Sequence, residues 1–393
     1  APRPRRRDGW PLPRPVARLL NSRLLRGGAA ILAGLLASWT LAALALGSDD
    51  ARNPAAYVIF VWLWLGIVAL SLTLGPVWPV INPLRRAHAA LCRVAGLDPE
   101  VGLRPYRAGS WPAATLLLAF AWLELVAPDR ASRPVLGLAV GLFVVGSLTA
   151  GLVYGANWFN HGDPFETVSR LYGALSPLGR RADGTWLLRS PLRGLDAIAP
   201  TRGLLPVVSV LLGSTAYDAV TGVPAWFSFA QSSSSPVVVQ SVGLLVVCVA
   251  VGGLVTLAAR LGAIWAGAST TDVGTQFAAS LVPVAAGYVV AHYWSLAVFA
   301  GQYTLALLSD PLGDGSDWLG TANLVPSTIL INPTTVASIQ AVAVVTGHLV
   351  GIVHAHSRAL TVFPGRSAMR GQLPMMVLMV GYTCGGLVLL FSA

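Results

Sequence analysis

Six histidines are the side chains of this 393-residue chain whose protonation ordinarily changes nearest neutral pH. Two of them, His292 and His348, fall inside long stretches with almost no other charge. A neutral imidazole so placed can ligate haem iron or copper, or carry a proton. On a helix, Tyr288, Ser295, Phe299 and Tyr303 share a face with His292, and Gln340 precedes His348 on the next apolar stretch. His292, His348, Tyr288 and Gln340 therefore form a candidate ligand or proton site, with His292 and His348 as its metal-binding members. Ionisable groups in a hydrocarbon-like span are costly, which marks them for function. The plain alternative is hydrogen bonding between helices, worth about 1 kcal/mol in a membrane.

A second set of polar residues gathers near the other ends of the apolar stretches: Glu124, Asp218, Gln302 and Asp310. Carboxylates at that depth attract a cation or a proton; each alone also suits a wet interface. A third group lies in Asn160-His161-Gly162-Asp163-Pro164-Phe165-Glu166. Asp163 has the position of a helix N-cap, Pro164 that of the first helical residue, and Glu166 closes a capping box. The recurrence of Phe165, Val168, Leu171, Tyr172 and Leu175 then predicts a helix lying on the membrane surface. A catalytic His161 and Asp163 pair is the alternative. In His354-Ala355-His356 the two imidazoles would point about 160° apart on a helix, which disfavours shared metal binding and suits a wet helix end.

The elements that hold these residues follow from composition. With 55% apolar and 11% charged residues and a mean hydropathy of +0.67, the chain describes an all-α, polytopic transmembrane helix bundle with short interfacial amphipathic helices. About nine spans are expected, at 27–47, 55–75, 111–127, 134–155, 203–221, 236–259, 276–308, 333–357 and 372–392. They form a single domain over 27–393. Residues 1–26 make an arginine- and proline-rich arm, with Arg5, Arg6 and Arg7 in sequence, set against anionic headgroups. The seventh stretch is too long for a perpendicular span, since 33 residues cover about 50 Å; Pro283 is expected to kink it.

All 26 basic residues are arginine and the formal net charge is +10. Arginines crowd the loops 76–110 and 156–202 and the stretch from Arg358 to Arg370, whereas the alternate loops carry Asp49, Asp50, Asp310, Asp314 and Asp317. The positive-inside rule then places residue 1 and the two long loops in the cytoplasm and the C-terminus outside, in a multi-pass protein of the cytoplasmic membrane. The three cysteines, Cys92, Cys248 and Cys384, lie far apart and suggest neither disulfides nor a zinc motif. The chain opens without methionine, and an upstream segment is expected. No glycine-rich nucleotide loop and no Gly-x-Ser-x-Gly elbow is seen.

Several motifs together carry a resemblance: Gly162-Asp163-Pro164-Phe165-Glu166, Leu212-Gly213-Ser214-Thr215-Ala216-Tyr217-Asp218, Ala291-His292-Tyr293, Leu308-Ser309-Asp310-Pro311-Leu312-Gly313 and Gly371-Gln372-Leu373-Pro374-Met375. From Trp10 onward the chain resembles an actinobacterial family of polytopic membrane proteins commonly labelled fenitrothion hydrolase. The resemblance implies a further hydrophobic segment upstream and phosphotriester hydrolysis, and it brings no catalytic residues with it. Three functions stay open: a redox, metal- or haem-holding subunit of a larger membrane complex, a membrane-bound phosphotriester hydrolase, and a proton- or cation-coupled transporter. The partners expected are the lipid bilayer and other membrane subunits, with no nucleic acid.

Overall fold

The computed structural model describes residues 9–181, 183–363 and 365–392, with the backbone alone for 390–392. Most of the expected arginine-rich arm is included, but Arg5, Arg6 and Arg7 lie outside the described residues. The helices needed below are α1 (Arg14–Asn21), α2 (Arg23–Leu46), α3 (Pro54–Leu74), α4 (Pro83–Val94), α5 (Trp111–Leu125), α6 (Arg133–Tyr154), α7 (Pro164–Ala174), α8 (Leu204–Thr221), α9 (Pro236–Ala266), α10 (Val273–Leu307), α11 (Pro333–Val362) and α12 (Leu373–Ser392). The fold is an all-α bundle of a multi-pass membrane protein. Among the described residues, eight helices are long and apolar enough to cross a bilayer. The ninth expected span, α5, has only 15 residues. At 1.5 Å per residue it reaches about 22 Å, short of a hydrocarbon core of about 30 Å.

The helix starts are written in the sequence. Asn53, Asn82, Asp163 and Asn332 each precede a proline, and each side chain accepts a backbone N–H from the first turn of the helix that follows. Proline at the first helical position has no N–H to leave unsatisfied, and the capping side chain serves one that is.

Contacts group the chain into two compact units. One comprises residues 1–107, 129–197 and 296–328; the other comprises 108–128, 198–295 and 329–393. In the first, α3 packs along α7. A small antiparallel sheet also belongs to it, with strands β1 (Trp10–Pro11), β2 (Leu178–Arg180) and β3 (Trp186–Leu188) in the order β1-β3-β2. In the second unit α8 packs against α5 and α9, and α12 packs against α9 and α11.

The helix expected on the membrane surface is instead interior. In α7 every residue except Arg170 is buried. The reason lies on its small-residue side: Ser169 Oγ is 2.8 Å from Ser71 Oγ and accepts the Trp78 N–H at 3.1 Å. A Cβ on Gly173 would stand 2.5 Å from the Pro76 nitrogen. Small side chains thus let α7 press its second face onto α3 as well as its apolar one.

Helix α10 runs on through Pro283 for 35 residues. Opposite the proline, α11 presents Gly347, where a Cβ would lie 2.4 Å from the Pro283 carbonyl oxygen. One turn on, a Cβ on Gly287 would lie 2.5 Å from the Ala343 carbonyl oxygen. The two backbones cross in contact here, the arrangement that small residues permit between membrane helices. Gly347→Ala forces them apart, and we expect a loss on the order of 1–3 kcal/mol, read as a lower thermal midpoint in detergent.

Candidate functional site

Asp218 and His292 meet. Asp218 sits in the last turn of α8 and His292 in the second half of α10, and Asp218 Oδ2 lies 2.8 Å from His292 Nε2. The two side chains are 22% and 23% exposed, so the pair is largely withdrawn from the surface without being sealed. Its position is set from the start of α8. Gly203 has φ +86, and a Cβ there would lie 2.4 Å from the Trp111 nitrogen, so only glycine lets the two helix starts touch. The Ser110 N–H then donates to the Arg202 carbonyl at 2.7 Å. At the far end Tyr217 is fully buried in a cluster with Val126, Leu244 and Cys248, and its ring meets Trp226 edge-on at 5.9 Å. With Tyr217 turned into the packing, its neighbour Asp218 projects toward α10.

His292 forms part of the wall of a cavity of about 200 Å³, together with Thr215, Tyr288, Tyr382, Gly385 and Gly386. The hydroxyl groups on this wall are spoken for. Thr215 donates to the Leu211 carbonyl at 3.0 Å, Tyr382 to that of Leu212 at 2.8 Å, and Tyr288 to those of Tyr382 and Thr383 at 3.1 and 3.2 Å. A Cβ on Gly386 would stand 2.0 Å from the Tyr288 oxygen, so this glycine admits the phenol.

His348 takes a different partner: its Nδ1 is 2.8 Å from Thr383 Oγ1. The two intramembrane histidines are thus each engaged by a separate group, on α8 for one and α12 for the other. Gln340 is half-buried on α11, outside the residues that line the cavity. His354 Nδ1 bonds Ser280 Oγ at 2.9 Å and His356 Nδ1 bonds Gln372 Oε1 at 2.6 Å, so these two imidazoles also diverge. Among the described residues, no three His, Cys, Asp or Glu side chains converge as a metal site.

The remaining candidates separate. Glu124 shares a compact unit with Asp218 and lies half-buried near the end of α5. Gln302 and Asp310 belong to the other unit. Gln302 accepts the Ser327 N–H and donates to the Ser327 carbonyl, whereas Asp310 accepts from the backbone of Asp314 and Gly315 and from Ser316 Oγ. Both organise the 308–328 loop.

No family model, curated protein or solved structure matches this chain.

The cluster around Asp163 is larger than the sequence suggested. Asp163 caps α7 by accepting the Glu166 N–H at 2.9 Å and also accepts from Asn82 Nδ2 at 3.0 Å, so the caps of α4 and α7 meet side chain to side chain. Glu166 closes no capping box. Its Oε1 takes Arg85 Nη2 and Arg170 Nη2, both at 2.8 Å, and both guanidinium groups also reach Asn160 Oδ1. His161 stacks on Tyr106 at 6.1 Å and is held toward its neutral form by burial and by Arg170. Asn82, Arg85 and Arg170 were not singled out by sequence, and Asn160 only opened the motif with no role given to it. The only local signal was the Asn-Pro or Asp-Pro step at the starts of α4 and α7.

Burial, reinforced by the charge of Glu166, pushes the Asp163 carboxyl up to about 6, against the pull of the hydrogen bonds it accepts. Because the folded value is raised, the folded chain binds the proton more tightly than the unfolded one. Stability is therefore greatest below the ordinary value of 3.8 and falls as pH rises to about 6, beyond which the loss is complete. The loss is on the order of 2–3 kcal/mol. Asp163→Asn keeps a capping oxygen and has no proton to lose. The thermal midpoint of wild type should fall between pH 4 and pH 6.5 relative to that of the variant; parallel curves would refute the assignment.

Proposed function

We infer that this integral membrane protein is a proton-coupled transporter, in which Asp218 and His292 hold the proton and the adjoining cavity takes the solute. The observation that carries this reading is a carboxylate–imidazole contact of 2.8 Å whose imidazole, though not the carboxylate, lines a cavity among apolar helices. In that setting an ionised carboxylate is costly unless a positive partner neutralises it, so the pair favours one proton or one cation over none. An imidazole can both take up and give back a proton, which an amide cannot. A phosphotriester hydrolase, the activity implied by the family resemblance, needs an activated nucleophile or several converging metal ligands. Here His292 and His348 face different partners, which favours proton handling over both that chemistry and a shared haem or copper.

The arginine-rich loops support placing the start of the chain in the cytoplasm and its end outside a cytoplasmic membrane. With that orientation Asp218 and His292 lie toward the external half. The test is infrared difference spectroscopy of the reconstituted protein during acidification. Wild type should gain an imidazolium band that Asp218→Asn, with no carboxylate to hold the charge, lacks. Identical spectra would sink the proton assignment.

A further inference from the structure

We propose that the solute of this cavity is a small organic monocation, which enters as the Asp218–His292 pair gives up its proton; the proposal rests on the proton-handling reading of that pair. Three features of the wall select this class. The first is the lack of donors. The hydroxyl hydrogens of Thr215, Tyr288 and Tyr382 are all directed at backbone carbonyls. An anion, or a ligand needing donors for its carbonyl oxygen, would find only the imidazole. The second is charge. Asp218 does not itself line the cavity, but it is 2.8 Å from His292, which does, and it lies in the last turn of α8, where the helix carbonyls add negative potential to that of the carboxylate. The third is the aromatic lining. Tyr288 and Tyr382 meet edge-on with centroids 5.3 Å apart, and both rings line the cavity, offering the electron-rich surface that binds alkylammonium groups.

Size narrows the class. A space of about 200 Å³ is smaller than the pockets that take drug-sized ligands, which begin near 300 Å³. Gly385 and Gly386 keep it from being smaller still.

Charge balance makes the exchange obligatory in one direction. With Asp218 ionised and His292 neutral, the pair carries one negative charge. A proton cancels it, and so does a monocation. Both together would leave an uncompensated positive charge among apolar helices, which is costly. The other titratable groups at this place are Tyr288 and Tyr382 on the cavity wall and Tyr293, whose ring meets that of His292 edge-on at 4.9 Å. No carboxylate lines the cavity; Asp218, bonded to His292 on its wall, is the one in direct contact with a lining residue, and Glu124 and Asp272 are the other carboxylates of the same unit. Binding one cation therefore releases one proton, with no covalent change on either side.

The experiment uses the full chain purified in mild detergent, with benzyltrimethylammonium as a permanently charged probe and neopentylbenzene as its neutral counterpart of the same shape. Calorimetry reads binding, and a pH-indicator dye reads proton release in weak buffer. We expect about one proton released per cation bound, an affinity that falls toward tenfold per pH unit on the acid side, and loss of binding in Asp218→Asn. Gly385→Val provides a second variant, since a Cβ there meets nothing within 4 Å. It should fill the cavity and lower cation affinity at least tenfold. If the neutral counterpart binds as tightly as the cation, or the cation binds without proton release, the monocation class is wrong. The infrared band lost in Asp218→Asn would then still stand for the proton reading. If that band is also unchanged, both ideas fall together.

Discussion

Asp218→Asn should abolish solute-coupled proton movement, lowering its rate at least a hundredfold, while the protein remains folded. Asparagine matches the carboxylate in shape and its oxygen can still accept the His292 Nε2 hydrogen, so the contact between α8 and α10 survives. What disappears is the charge that a proton or a cation must neutralise. His292→Gln is the informative companion, because an amide keeps a hydrogen bond to Asp218 yet cannot titrate; it should retain cation binding and shift the pH dependence of transport. The measurement is made in proteoliposomes with an entrapped pH dye, driven by an imposed gradient of benzyltrimethylammonium and then of smaller and neutral solutes. If the 2.8 Å contact only joined two helices, Asp218→Asn would cost on the order of 1 kcal/mol of stability and leave proton movement untouched.

That contact also marks how far the sequence could be read. Both residues stood out as ionisable groups in apolar stretches, but Asp218 was grouped with Glu124, Gln302 and Asp310, and His292 with His348, Tyr288 and Gln340. Hydropathy gives the depth of a residue along its own helix. It does not give which face of which other helix lies opposite, and Asp218 and His292 belong to helices with α9 between them in sequence. The same limit explains α7. The spacing of Phe165, Val168, Leu171 and Tyr172 shows one apolar face, whereas the burial of the other depends on Ser169 and Gly173 finding Ser71, Trp78 and Pro76 about 90 residues away. Local chemistry was legible in part: the Asn-Pro steps at 53, 82 and 332 and the Asp163-Pro164 step announced capped helix starts, whereas Asp98-Pro99 and Asp310-Pro311 begin no helix. The spans were legible too, because the need to satisfy every backbone group inside a bilayer leaves a long apolar stretch little choice but a helix. Among the spans read too long, α5 departs most, with 15 residues where 111–127 was expected.

Arg85→Met should be the most destabilising single change in the unit built on α3, α4 and α7, at about 3–5 kcal/mol. The Glu166 side chain has no exposed surface, and both of its ion pairs fall on one oxygen; Oε2 is buried without a hydrogen-bond partner. Arg85 is the more enclosed of the two arginines, at 25% exposed against 46% for Arg170. The solvent around Arg170 weakens its hold on the carboxylate, so Arg85 carries the larger share of the compensation. Methionine can follow much of the arginine stem, but it leaves Glu166 with one partly exposed cation and Asn160 with one fewer donor. Adding Glu166→Leu to Arg85→Met should recover a substantial part of the loss, because the penalty comes from a stranded buried charge and the double variant removes that charge. Denaturation midpoints of the wild type, both single variants and the double variant give the coupling directly. Additive losses would mean that the two residues contribute independently, and that Asn82, Asp163 and the helix caps hold α4 and α7 together without them.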